Sequence, residues 1–339
     1  MARGVEMEDV ESGKTFHLTA NVIVNATGVF VDEILKMDKP SGQPMVRPSQ
    51  GAHVVLDSSF LKGNVALMIP KTADGRVLFA VPWHGKVLVG TTDTPLNEHR
   101  LEPVALEEEV TFILNTAGQY LSRKPSREDV LSVFAGLRPL AAPGKDTNST
   151  KEISRSHKLI VADSGLITIT GGKWTTYRKM AMDVVDKAIS MNLLSPKKCI
   201  TEGVHIHGYK KMDPENSLSI YGTDADSIRK LMKENISMGA PLHPSYAFTK
   251  AEVVWMVRSE MARKVEDVLS RRVRLLFLDA LAAIALAPAV AEIMAEELGK
   301  DKKWVEDQVQ DFNKLAQDYL LYEVLPADKL SKETLKTGS

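Results

Sequence analysis

One cysteine, Cys199, and almost no net charge are the first features of this 339-residue chain. A single thiol excludes an internal disulfide framework and a cysteine-built metal site, and it suits a reducing cytoplasm. With 43 Lys and Arg against 44 Asp and Glu, the formal charge is -1. Non-specific nucleic-acid binding is therefore not expected, and any basic function has to be local, built from a few convergent Arg and Lys. Long apolar runs are missing too. The longest, Leu275–Val290, has 16 residues and carries Asp279 and Pro288; it is expected as one buried helix, too short and too marked to span a bilayer. The opening residues show no signal-peptide apolar region. No metal site is expected anywhere in the chain.

What is present has the periodicity of a mixed α/β protein. Residues 166–170, Leu-Ile-Thr-Ile-Thr, alternate apolar and hydroxyl side chains as a strand does. After Gly171 and Gly172 the period changes: Trp174, Tyr177, Ala181, Val184, Val185, Ala188 and Ile189 fall at helical steps. Strand, two glycines and a helix start is a geometry in which backbone N–H groups and a positive helix end point at an anion. Lys173 adds a full charge there, and Thr175 and Thr176 add donors that can also cap the helix. Taken alone, Gly-Gly-Lys is more often a tight turn with a solvated lysine.

Upstream, residues 15–24 read as a strand with a fully apolar end, as in a buried parallel sheet. That strand runs into Asn25-Ala26-Thr27-Gly28 and a short helical pattern through Ile34 and Leu35. Residues 53–90 are short apolar runs separated by turn residues, which predicts an antiparallel meander. Helical stripes follow at 106–121, 224–234, 251–261, 280–298 and 304–321, with Thr249 and Glu252 as a capping box. These patterns divide the chain into an α/β portion over 1–200, in which 45–160 is mainly a long mixed insertion, an α-helical domain over 201–325, and a frayed tail over 326–339.

Four cationic or titratable residues sit at expected strand ends or loops of the first portion: His53, Arg138, Arg155 and Lys173. Arg138 is placed on a loop after a strand and stiffened by Pro139. Two guanidinium forks and an ammonium point charge are what a phosphate dianion needs. Singly, each Arg is more often a solvated surface residue, and a lone His is more often structural than catalytic.

Asn25-Ala26-Thr27-Gly28, Gly51-Ala52-His53, Val81-Pro82-Trp83, Gly90-Thr91-Thr92-Asp93, Gly136-Leu137-Arg138-Pro139-Leu140 and Gly171 through Lys179 occur in that order. Together they resemble the FAD-dependent (respiratory) glycerol-3-phosphate dehydrogenases, members of the D-amino-acid-oxidase-like flavoprotein superfamily. The resemblance implies an FAD-linked oxidoreductase fold of α/β (α+β) class: an incomplete N-terminal nucleotide-binding sheet, a mixed or antiparallel substrate-binding sheet, and an α-helical C-terminal domain. It implies that Ala26, Thr27 and Gly28 pass close to FAD and that Gly172, Lys173, Trp174 and Thr175 sit at the flavin's pyrimidine edge. It implies His53, Arg138, Arg155 and Lys173 as the pocket for glycerol 3-phosphate, with His53, Arg138 and Lys173 catalytic. Arg138 and Arg155 would take the phosphate, Lys173 would lie between substrate and flavin, and His53 would accept the C2 hydroxyl proton. An arginine holds its own proton too strongly for that task. Dihydroxyacetone phosphate would be the product and a quinone the electron acceptor. A cytoplasmic chain with room for a peripheral contact at the inner face of the cell membrane, and for a homodimer, completes the expectation.

The departure is as informative. The Gly-x-Gly-x-x-Gly that cradles an FAD pyrophosphate occurs nowhere in the chain. Strand 15–24 or its neighbour is then expected to remain an exposed edge. Two other readings follow: a catalytically incomplete binding module that does not hold FAD by itself, and a flavoenzyme of the related amino-acid-oxidase type.

Overall fold

The computed structural model describes residues 2–70, 72, 75–98, 100–141, 157–213 and 216–321. In chain order its elements begin with β1 (Gly4–Asp9), β2 (Lys14–Thr19), β3 (Val24–Asn25), α1 (Val31–Asp38) and β4 (Val46–Asp57). Next come β5 (Leu67–Ile69), β6 (Leu78–Trp83), β7 (Lys86–Gly90), β8 (Thr94–Pro95), α2 (Glu107–Ala117) and β9 (Val130–Ala141). Then follow β10 (His157–Val161), β11 (Ile167–Gly171), α3 (Tyr177–Ser190) and α4 (Ala225–Glu234). The last are β12 (Pro241–His243), β13 (Tyr246–Thr249), α5 (Lys250–Ser259), α6 (Leu275–Leu278), α7 (Ala280–Leu298) and α8 (Lys302–Gln317). Two compact units emerge, one of Met1–Gly51, Asp93–Pro103 and Gly136–Val204, the other of Ala52–Thr92, Val104–Ala135 and His205–Ser339. Residues 52–92 and 104–135 thus cluster with the helical segment rather than with the opening sheet.

In the first unit, residues 15–24 are not one buried strand. β2 pairs antiparallel with β1, in the register Val5 to Leu18 and Met7 to Phe16. All twelve residues of the hairpin are exposed. Its turn is made by Asp9, whose carboxylate accepts from the Glu11 N–H at 3.0 Å and the Ser12 hydroxyl at 2.5 Å. Gly13, at φ +67°, closes the turn in a conformation that suits glycine. Only Val24 and Asn25 join the mixed sheet of order β10–β11–β3, in which β10 is antiparallel to β11. β3 is parallel to β11 in the register Val24 to Ile167 and Asn25 to Thr168. Ile167 and Ile169 pack with Val184 and Ala188 of α3. That burial is what turns the chain from strand to helix at 171–177, since each such side chain contributes roughly 1.5–3 kcal/mol when fully withdrawn from water.

The second unit contains the antiparallel meander expected from 53–90, in the order β5–β6–β7–β4. Val54, Leu56, Leu78, Ala80, Val87 and Val89 face Val110, Ile113, Leu114 and Ala117 of α2 in one core. A second core joins α5, α6, α7 and α8 through Met256, Leu276, Ala283, Val290, Met294 and Phe312. The expected single helix over 275–290 is broken. Asp279 is extended, caps α7 by accepting from the Ala282 N–H at 3.0 Å, and leaves α6 as a separate turn. Arg138 and Pro139 are also placed differently from expectation. They lie inside β9, not on a loop after it. β9 pairs with β4 alone among the described strands, an edge position in which proline is tolerated. No helix among the described residues is long and apolar enough to cross a membrane.

Candidate active site

β3 and β11 are neighbouring parallel strands, so the loops at their C-terminal ends emerge at one edge of the sheet. In open α/β sheets that edge is where ligands bind. The first loop is Ala26-Thr27-Gly28. Asn25, 2% exposed, shapes it: its Nδ2 donates to the Val31 carbonyl at 2.9 Å, and its Oδ1 accepts from the Thr27 hydroxyl at 2.8 Å. Gly28 has φ +64°, and a Cβ built there meets nothing within 4 Å, so the backbone fronts open space.

The second loop is Gly171-Gly172-Lys173. Both glycines have positive φ, +75° and +74°. A Cβ at Gly172 would fall 2.6 Å from Met180 Sδ and 3.2 Å from His157 Cβ, so the backbone is seated directly on α3 and β10. The Lys173 N–H donates to Thr176 Oγ1 at 3.2 Å, and that hydroxyl donates to the Lys173 carbonyl at 2.9 Å, opening a turn that leads into α3. Thr175 lies within this turn, exposed. Trp174 is 86% exposed and stacks on Tyr177, centroids 5.4 Å apart and planes 24° from parallel. Beneath the loop, His157 Nε2 is 2.9 Å from Asp183 Oδ2, and Lys179 pairs with the other carboxylate oxygen. Lys179, and after it His157, hold the Asp183 carboxyl below the usual carboxylate range.

Arg138 belongs to the same unit, and its Nη1 lies 3.5 Å from Asp93 Oδ1. The Ser49 hydroxyl donates to the same Asp93 oxygen. Asp93 is thus a partner of the Arg138 guanidinium, a role that sequence reading did not assign although it quoted the Thr-Thr-Asp run. Arg155 lies outside the described residues.

His53 is in the second unit, on β4 opposite Gly90 of β7. A Cβ at Gly90 would fall 2.2 Å from His53 Cδ2, so the imidazole lies over bare backbone. Its other face stacks on Phe134, with centroids 5.3 Å apart and planes 15° from parallel. The preceding residue is fixed as well. The Ala52 N–H donates to Thr92 Oγ1 at 2.8 Å, and that hydroxyl donates to Glu109 Oε1 at 2.7 Å. Glu109 Oε2 accepts the Leu106 N–H at 3.0 Å, the glutamate half of a capping box at the start of α2. Glu109 and Thr92 are 2% and 1% exposed. Sequence reading missed Glu109, Thr92 and Phe134; the signal for Glu109 was an acidic residue at the third position of a helix. A cavity of about 200 Å³ beside Trp83, His84 and Lys86 lies at the other end of the β6–β7 hairpin from His53. Among the described residues no group of three or more His, Cys, Asp or Glu could hold a metal ion.

These features fit the flavin-ring end of an FAD: two glycine-bearing loops at one sheet edge, open space before Gly28, an exposed indole, and a lysine at a helix start. They supply nothing for the pyrophosphate. Comparison with known proteins points to the same cofactor. Residues 2–178 match the FAD dependent oxidoreductase family, and residues 166–305 match the C-terminal domain of alpha-glycerophosphate oxidase. The chain belongs to the FAD dependent oxidoreductase family. It is 36% identical to the mitochondrial glycerol-3-phosphate dehydrogenase of Rattus norvegicus, over 95% of this chain and 46% of that protein. It is 37% identical to a probable mitochondrial glycerol-3-phosphate dehydrogenase of Dictyostelium discoideum, over 94% of this chain and 53% of that protein. The chain therefore spans about half the length of these relatives. Its fold is similar to the Bacillus halodurans glycerol-3-phosphate dehydrogenase solved with FAD: TM-score 0.72, 27% identity, 95% of this chain and 68% of that one.

Proposed function

We propose that this chain carries the substrate-binding and flavin-facing parts of an enzyme that oxidises sn-glycerol 3-phosphate to dihydroxyacetone phosphate, with electrons passing on to a quinone. The observation that carries the reading is the paired edge of β3 and β11, from which the loops holding Ala26–Gly28 and Gly172–Thr175 emerge side by side. When bound, FAD supplies a two-electron acceptor that takes hydride at N5. Gly172, Lys173, Trp174 and Thr175 would hold the flavin's pyrimidine edge, where the Lys173 charge and the start of α3 favour added negative charge. Ala26, Thr27 and Gly28 would pass close to the FAD.

The substrate is a dianionic monoester, which one guanidinium fork serves less well than two. Arg138, oriented by Asp93, and Arg155 take this role. His53 accepts the C2 hydroxyl proton. Its task suits an imidazole, whose unperturbed pKa near ~6.5 lies close to working pH. An amino-acid substrate would present a carboxylate and asks for one Arg fork, so the basic set favours the phosphate ester. A dye-linked assay of the FAD-loaded protein tests this reading: glycerol 3-phosphate should reduce the dye, and glycerol and glycine should not. Reduction by glycine in preference to glycerol 3-phosphate would overturn it.

A further inference from the structure

The helical C-terminal segment contributes three aromatic and backbone contacts to the strand that carries Phe134. Phe277, just before Asp279, meets Phe134 edge-to-face, centroids 5.0 Å apart and planes at 88°. Tyr319, just beyond α8, meets Phe277 the same way at 5.5 Å and 79°. The backbone is tied at the same place. The Ser132 hydroxyl donates to the Leu276 carbonyl at 2.8 Å, and the Val133 N–H donates to the Tyr319 carbonyl at 2.9 Å. Residues 132, 133 and 134 are thus each fastened to the segment that holds Phe277 or Tyr319. Phe134 in turn is the wall on which the His53 ring lies, opposite Gly90.

We infer that Phe277 and Tyr319 are positioning residues that set the plane of the His53 imidazole through Phe134. The inference rests on the reading of His53 as proton acceptor. The physical need for such a brace is plain. An imidazole turns about a terminal torsion with broad, roughly two-fold preference, so its plane is decided by its neighbours. Gly90 offers no side chain to restrain it. Edge-to-face contacts are directional, and two in series transmit ring orientation where aliphatic packing would only fill space. Phe134 and Phe277 pack, partly buried, against the helical core that includes Tyr319, so the two ring contacts link His53 to that core. A proton acceptor turned from its line to the hydroxyl loses rate steeply, since misplacement on the order of 1 Å can cost about a hundredfold.

The test reads the histidine ring itself, in the full chain labelled with 13C in histidine. Of the eight histidines, His53→Asn identifies the His53 signal by its disappearance. The face of Phe134 should displace the His53 ring-proton signal upfield, and Phe134→Leu should remove the displacement. The expected result is that Phe277→Leu moves the His53 signal toward its Phe134→Leu position while the other histidine signals stay in place. In the FAD-loaded protein the same variant should lose turnover by about tenfold with little change in KM. A His53 signal that stays at its wild-type position in Phe277→Leu overturns the inference. If Phe277→Leu fails to fold, Tyr319→Leu gives the decision one ring further out: movement supports the brace and a stationary signal overturns it. Retained turnover in His53→Asn would instead remove the proton-acceptor reading and leave the ring measurement intact.

Discussion

His53 is held between a glycine backbone and a phenylalanine ring, and its own strand is fixed by a buried carboxylate two hydrogen bonds away. Three consequences follow at this scale. Removing the imidazole as His53→Asn should lower turnover by about 10²–10⁴-fold, the usual worth of a positioned base, in a steady-state assay of the FAD-loaded protein. A variant that kept its turnover would remove His53 from the reaction. Gly90→Ala is the cleaner probe of placement. Gly90 does not have the positive φ that would make alanine strain the backbone, so the added methyl acts on the His53 ring. Turnover should fall about ten- to a hundredfold, with an unfolding cost of about 1–3 kcal/mol from overpacking. Glu109→Gln tests the carboxylate beneath. Both Glu109 oxygens accept hydrogen bonds, whereas an amide must aim its NH2 at one of the donors. Urea unfolding should show a loss of about 1–3 kcal/mol, and an unchanged midpoint would contradict the assignment.

At the scale of elements, α5 makes the stability of the second unit depend on pH. Its capping box buries Glu252, which accepts from the Thr249 N–H at 2.8 Å, the Thr249 hydroxyl at 2.9 Å and the Tyr221 hydroxyl at 3.0 Å. Burial nonetheless dominates and pushes the Glu252 carboxyl above its ordinary value. The folded chain then binds more protons than the unfolded one from about pH 4.5 upward, so this group's contribution is full below that pH and is lost as pH rises through the raised value. Unfolding free energy measured across that range should fall more steeply for the wild-type protein than for Glu252→Gln, and equal slopes would refute the shift.

Legibility in the sequence also divides by element. The meander over 53–90 and helices α2, α7 and α8 were readable because one side of each is buried, which writes period 2 or 3.6 into the residues. The hairpin of β1 and β2 was misread because its apolar residues, Val5, Met7, Phe16 and Leu18, are 42–51% exposed, so apolarity there did not report burial. The turn signal, Asp9 with Gly13, was available and outweighed by the apolar run after Thr19. Pro139 suggested a loop, and an edge position in β9 overrode that preference. Gly28, Gly171 and Gly172 were legible as turn glycines, and each has a positive φ that suits glycine. The structural roles of Asp93, Thr92 and Glu109 were not legible, since polar partners 17 to 45 residues apart leave no local pattern.

At the scale of the whole molecule, the chain belongs to a flavin-dependent family and spans about half of its mitochondrial-enzyme relatives. On the proposed reading its parts are those facing a flavin ring and a small phosphorylated alcohol, and the sequence contains no Gly-x-Gly-x-x-Gly for a pyrophosphate. On the proposed function, the edge formed by Gly28 and Gly172–Thr175 holds FAD where glycerol 3-phosphate can reduce it. The most direct measurement is the visible absorbance of the purified chain after addition of FAD and desalting, before and after glycerol 3-phosphate. Flavin bands that stay with the protein and bleach on adding the substrate are the expected result. A colourless protein, or bands that glycerol 3-phosphate leaves unchanged, would contradict the claim for this chain.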